Sequence, residues 1–259
     1  MKESSEIIKK VGQEFYNNAI DGFKLYHNKF GMIPDVVVDI GAHVGSLAIH
    51  AALNGSKRVL AIEAEKENFK ELENNIRFIR KNKLIDDSQK ITSLHFAMYK
   101  TNFNQIEIYS SSKENYNSGQ NSLYYKPDIQ NYFQPQTTET MNLDLLSEFF
   151  VSQTINLLKI DIEGAEFDAF PVCERTKEFF KQVEFLDIEL HSHSNEDYFD
   201  EQKFKEEHSE FKTANFIIEY MEFINSCGFR DNNYVLPNPS GDQRALGAYI
   251  KSMNYNMRK

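Results

Sequence analysis

Residues 35–45 read Asp35-Val36-Val37-Val38-Asp39-Ile40-Gly41-Ala42-His43-Val44-Gly45. The first six positions form a short, nearly continuous β-branched run, the pattern of a strand covered on both faces in a parallel sheet. Gly41 ends that run, and 44–54 follows with helical character, stopped at Gly55. The same alternation then continues. A second buried strand is expected over 57–63 (KRVLAIE) and an amphipathic helix over 65–83, with Phe69, Leu72, Ile76 and Ile79 on one face. Strands follow over 91–98 and 105–109, then a helix over 143–151 and a third buried strand over 155–160 (INLLKI). A short helix leads from Gly164 to Pro171, a fourth buried strand covers 185–190 (FLDIEL), and a helix covers 214–227. The segments 229–236 and 245–253, around the turn-rich PNPSGDQ, have the look of an antiparallel hairpin. Strands alternating with helices predict a doubly wound, mostly parallel α/β sheet, here closed by a C-terminal antiparallel hairpin.

Two stretches stand outside that alternation. Over 6–30, Ile7, Val11, Phe15, Ala19, Phe23, Tyr26 and Phe30 recur every three or four residues. This predicts an amphipathic helix or helix pair with weak points at Gly12 and Gly22, closed by Gly31 and Pro34. Residues 1–34 therefore read as an N-terminal helical extension, and 35–259 as the α/β domain. Within that domain, 110–140 is rich in Ser, Asn, Gln and Tyr and shows no period. A loop of that length is expected to be a functional lid or a disordered insert. Its Tyr116, Tyr124, Tyr125, Tyr132 and Phe133 offer faces that could stack on sugar rings.

Composition excludes several function classes. At 259 residues and 41% hydrophobic, the chain can bury a core without disulfide or metal staples. Thirty-nine acids against 29 bases give a net charge of −10, which opposes nucleic-acid and anionic-lipid binding. No apolar stretch approaches a membrane span. Thirty-four Phe and Tyr together exclude a disordered chain. The start, MKESSEIIKKVGQEF, is too charged for a signal peptide, and Cys173 and Cys227 form no CxxC pattern. A cytoplasmic globular protein with a small-molecule partner is expected, its oligomeric state left open.

In a doubly wound sheet, ligands bind beyond the carboxyl ends of the strands, at the point where strand order reverses. Asp39-x-Gly41-x-x-x-Gly45 ends the first strand, and glycines there let a ligand lie against bare backbone. Glu63 ends the second strand, 24 residues after Asp39, where an acid can accept hydrogen bonds from both hydroxyls of a ribose. A dinucleotide would want a second glycine where His43 stands. S-adenosylmethionine has no pyrophosphate, and Asp39 suits the ammonium of its methionine tail. That cofactor fits the turn better than NAD.

Four stretches, VVVDIGAHVGSLAIHAA, VLAIEAEKENFKELENNI, INLLKIDIEGAEFDAF and LDIELH, resemble the FkbM family of S-adenosylmethionine-dependent methyltransferases over about residues 36–191. Leu143-Asp144 resembles the family's L-D element ahead of the third motif. His43 stands where the family usually has Asn, and Ala64 where it has Pro. The resemblance implies a Rossmann-like class I methyltransferase fold and S-adenosylmethionine as cofactor. It also implies O-methylation of a hydroxyl on a sugar, glycan or small natural product. Asn121-Ser122-Leu123 resembles a polar element that reaches the cofactor. The cofactor-binding candidates are Asp39, Gly41, Ala42, His43, Gly45, Glu63, Ala64, Ala97, Ser122 and Asp161. An N- or carboxyl-directed methyltransferase, or an inactive cofactor-binding protein, are the alternatives.

Asp161 ends the third strand, Glu163 lies in the loop after it, and Glu166 falls in the next helical turn, where the dipole favours an acid. Methyl transfer to an alcohol needs in-line positioning and a proton acceptor. His191 matches the family's E-x-H two residues after Glu189, and its imidazole titrates near neutrality. His191, Asp161 and Glu163 are thus the catalytic candidates, with His193 read as a loop residue. Asp161, Glu163, Glu189 and His191 could instead hold a divalent ion, but no tight ligand spacing calls for one and no metal is expected. His27, His50, His95 and His208 have no acidic or glycine context and read as packed or solvated.

Overall fold

The computed structural model describes residues 1–111, 133–192, 206–208, 216–235 and 246–254. Three helices open the chain, α1 (Ser5–Val11), α2 (Gln13–Ala19) and α3 (Asp21–Phe30), where one or two were expected. Gly12, at φ 84, separates the first two, but the second break falls at Ile20. Gly22 instead lies inside the first turn of α3, where a Cβ would stand 2.0 Å from Asp187 Oδ2. The glycine is there for close approach to the sheet.

The parallel unit follows as β1 (Val36–Ile40), α4 (Ser46–Leu53), β2 (Arg58–Glu63), α5 (Lys66–Lys81) and β3 (Lys90–His95). All five residues of β1 are buried, as its β-branched run requires. The strand expected over 91–98 is divided at Phe96, because the chain leaves one sheet for another. β4 (Ala97–Met98), β5 (Gln105–Ser111) and β6 (Phe133–Met141) form a small sheet in the order β4-β6-β5. The expected insert is therefore shorter than its composition suggested, since 133–141 is a strand antiparallel to β5. Thr138 and Thr140 fill its buried positions, which hid the alternation among polar residues. Residues 112–132 lie outside the described residues.

The chain returns through α6 (Leu143–Glu148), β7 (Leu157–Ile160), α7 (Glu166–Ala169), α8 (Glu174–Phe180) and β8 (Phe185–Ser192). It ends with α9 (Phe216–Ser226), β9 (Phe229–Val235) and β10 (Leu246–Asn254), the last two antiparallel as expected. The main sheet runs β3-β2-β1-β7-β8-β10-β9. Strand order reverses between β1 and β7, both parallel to each other, so their carboxyl ends border the crevice.

Alternation divides the core into two layers. Val38, Ile40, Leu158, Ile160, Leu186 and Ile188 pack with Phe167, Phe170, Phe180 and Tyr220 of α7–α9. Val37, Val59, Leu157 and Phe185 pack on the other face with α4, α5 and the N-terminal helices. Tyr16 and Phe23 are fully buried there, and the Tyr16 hydroxyl is 2.9 Å from His50 Nδ1. Each such side chain contributes about 1.5–3 kcal/mol by burial. The first 30 residues thus share one core with the sheet.

Candidate active site

The glycine turn is tied to the end of β2. The amides of Gly41 and Ala42 both donate to the Ile62 carbonyl at 3.0 Å. Gly41 has φ 80, and a Cβ on it would stand 1.8 Å from the Asp161 carbonyl oxygen. Only glycine lets β1 and β7 approach this closely at their ends. His43 follows with φ 52, in the left-handed region that Asn and His enter more readily than most residues. That backbone is a physical reason for either residue to stand at this position. The His43 amide donates to Glu63 Oε2 at 2.7 Å, and the Glu65 amide donates to Glu63 Oε1 at 2.8 Å. Glu63 is buried, and burial pushes its carboxyl up to about 7 in spite of these two amides. Burial holds the His43 imidazole down to about 4, so it is neutral at physiological pH.

Asp39 is buried near the end of β1. Its Oδ2 accepts from the Ala48 amide of α4 at 3.2 Å, which caps that helix. In register beside it on β7 stands Lys159, and beside Lys159 on β8 stands Asp187. A row of acid, base and acid therefore crosses three central strands on the face covered by α1–α5. Lys159 Nζ also binds Asp161 Oδ2 at 2.7 Å. Burial alone would lower the Lys159 ammonium, but Asp161 and Asp39 outweigh it and hold it above the ordinary lysine range. Burial lifts Asp39 to about 6, with Lys159 opposing the rise.

The remaining described candidates stand in β4, at the start of α4, and at or just after the ends of β2, β7 and β8. Glu163 has φ 54, an uncommon backbone for a non-glycine residue and of the kind that gathers at functional loops. Glu166 is buried and accepts from the Ile162 amide at 3.1 Å and the Gly164 amide at 3.0 Å, so it braces the loop. Glu189 stands opposite Tyr249, and His191 opposite Gly247, in the β8–β10 ladder. The His191 side chain lies outside the described residues, as do Ser122, His193, Tyr116, Tyr124, Tyr125 and Tyr132. Ala64 offers its carbonyl 3.0 Å from His95 Nε2, and Ala97 is buried in β4. Gly45, at φ 91, is the N-cap of α4. Among the described residues, no group of three or more His, Cys, Asp or Glu side chains is placed to hold a metal ion.

Several neighbours carry no signal local enough to read from sequence. Lys159 is one, since apart from Asp161 two residues on, its acidic neighbours Asp39 and Asp187 lie on other strands. Glu65 caps α5 and accepts from Gln136 Nε2 of β6 at 3.0 Å, joining the small sheet to the loop after Glu63. Phe69 stacks on His95 with ring centroids 4.9 Å apart. His208 is buried, in keeping with its reading as packed or solvated, and its Nε2 lies 3.3 Å from Asp168 Oδ2, a partner its sequence context does not show. Asp168 is forty positions earlier in the chain, beyond the reach of a motif.

The seven-stranded order, the glycine turn at the switch point and the buried acid that ends β2 together define a class I methyltransferase fold. Residues 39–230 match the model of the methyltransferase FkbM domain. That is most of the chain, and the chain belongs to the FkbM methyltransferase family. Among solved structures, a methyltransferase FkbM from Methylobacillus flagellatus is 19% identical, with a TM-score of 0.38 over 68% of this chain and 39% of that one. Magnesium protoporphyrin IX methyltransferase from Synechocystis, solved with bound S-adenosylmethionine, is 8% identical, with a TM-score of 0.46 over 98% of this chain and 86% of that one. An S-adenosylmethionine-dependent methyltransferase from Aquifex aeolicus is 13% identical, with a TM-score of 0.41, covering 98% of this chain and 100% of that one. No curated protein sequence matches the chain. No described helix is long and apolar enough to cross a membrane.

Proposed function

We propose that this FkbM-family protein takes its methyl group from S-adenosylmethionine and delivers it to a hydroxyl on a sugar, glycan or small natural product. The observation that carries the reading is Glu63, a buried carboxylate held by the His43 and Glu65 amides next to the close-packed Gly41. A buried acid tied to two loops at a switch point suits a ribose, because its remaining lone pairs can accept from two hydroxyls. Asp161, already partly balanced by Lys159, is the acid left to meet the donor's ammonium. Asp39 supports that end from beneath by capping α4. Ala64 and Ala97 have short side chains that leave room for the adenine, and Ser122 is assigned to the same pocket. When bound, the donor supplies an electrophilic methyl group on a sulfonium.

The rest falls to this chain's own residues. His191, at the end of β8, takes the proton from the acceptor hydroxyl as its oxygen gains the methyl group. Glu189, two residues earlier in the strand, shares its face and orients the imidazole. Glu163 positions the acceptor from its strained loop. His191→Ala is expected to lower kcat by roughly 10²- to 10⁴-fold with donor binding intact. Loss of activity on chelation, with near-normal turnover of His191→Ala, would instead make the rim a metal site.

The experiment is transfer of labelled methyl from S-adenosylmethionine to sugars, nucleotide-sugars and small polyols, beside amine and carboxylate acceptors. Label recovered in a base-stable ether supports the reading. Label only in a base-labile ester or on nitrogen would replace it with a carboxyl- or N-directed transfer.

A further inference from the structure

The family match begins at residue 39, yet one side chain from ahead of it touches the glycine turn and a second is linked to it through α5. Phe15 on α2 lies against His43, ring centroids 5.1 Å apart and planes tilted by 48°. Lys10 on α1 crosses to α5, pairing with Glu71 and donating to Asn75 Oδ1 at 3.2 Å. The buried Asn75 donates its Nδ2 to the Val44 carbonyl at 2.8 Å. Two consecutive residues of the turn, 43 and 44, are therefore held from the N-terminal helices. One is held by a ring contact and the other through a hydrogen-bond chain.

The turn has need of such holding. A left-handed backbone at a non-glycine residue costs about 1–2 kcal/mol, and His43 keeps it while donating its amide to Glu63. Rotation of that peptide would release one oxygen of the carboxylate. The Phe15 ring lies against the buried His43 imidazole and so resists that rotation.

We propose that α1 and α2 form the outer wall of the donor site, with Phe15 and Lys10 as positioning residues that fix His43 and Val44 and, through them, Glu63. The inference rests on the donor site assigned above and adds residues that the family motif does not contain. Its test is calorimetric titration of the full chain with S-adenosylmethionine and with its demethylated product. Phe15→Ala is expected to weaken both by roughly 2- to 30-fold, the range of coupling through residues that do not touch the ligand. Phe15→Tyr should bind as wild type, and Lys10→Met should show a smaller loss than Phe15→Ala. In a His43→Ala background, Phe15→Ala should add nothing further, which a general loss of stability would not reproduce.

Wild-type affinity in both Phe15→Ala and Lys10→Met, with binding lost in Gly41→Val, would overturn the proposal and leave the donor site standing. Should Phe15→Ala fail to fold, Lys10→Met decides alone, because its side chain is exposed and an unchanged affinity contradicts the wall. A wild-type chain that binds neither compound would bring down the donor site itself, and this inference with it.

Discussion

At position 63 one carboxylate serves two loops, accepting from the amides of His43 and Glu65. Burial lifts its proton affinity to about 7, so a share of the molecules carry it protonated below neutrality. A ribose donates its hydroxyl protons, which favours the ionised form. Donor affinity is therefore expected to rise with pH through about 7 and then level, and Glu63→Gln should remove that slope. The same variant should bind the donor about 1.5–3 kcal/mol more weakly, as for lost hydrogen bonds to a charged group. Calorimetry across neutrality checks both, and a slope surviving in Glu63→Gln would place the titrating group elsewhere. At this scale the glycine turn and Glu63 were legible because their signals are local, a strand, a glycine and an acid at a set interval. The row that Lys159 completes was not, because Asp161 is near in sequence but Asp39 and Asp187 stand on neighbouring strands.

Among the elements, the strands buried on both faces were the easiest to read, since β1 and β7 are unbroken runs of covered residues. α8 escaped because it is seven residues long and its buried side chains are Thr176, Phe179 and Phe180, too few to make a period. β6 escaped because its buried face is Thr138 and Thr140, whose polarity imitates a loop. The N-terminal helices were visible as a period but not as part of the core. Their anchor is Tyr16, whose hydroxyl accepts from the Ser4 amide at 3.3 Å and meets His50 Nδ1 at 2.9 Å. Tyr16→Phe removes that oxygen and leaves His50 Nδ1 buried without a partner. Such a loss costs about 1–3 kcal/mol. Urea unfolding should show it, and an unchanged midpoint would mean that the helices are held by apolar packing alone.

For the molecule as a whole, buried titratable groups of opposite sign act over the same pH window. His43 and His50, both held down to about 4 by burial, bind fewer protons folded than unfolded, so their contribution is lost as pH falls from about 6.5. Asp39, raised to about 6, binds more protons folded, so its contribution is full below its ordinary value and lost as pH rises through about 6. Asp39→Asn should therefore gain on wild type by up to about 3 kcal/mol between pH 4 and just above 6. Urea unfolding at stepped pH measures the difference, and a constant offset would show that Asp39 titrates normally in the fold. Asp39 and His43 belong to the strand end and glycine turn that border the crevice between β1 and β7, and that crevice's assignment to the methyl donor carries the proposed function. Equilibrium titration of S-adenosylmethionine into wild type and Gly41→Val tests it most directly. Saturable binding to wild type, lost in Gly41→Val and not matched by NAD, is expected. Tight binding of NAD with none of S-adenosylmethionine would contradict it.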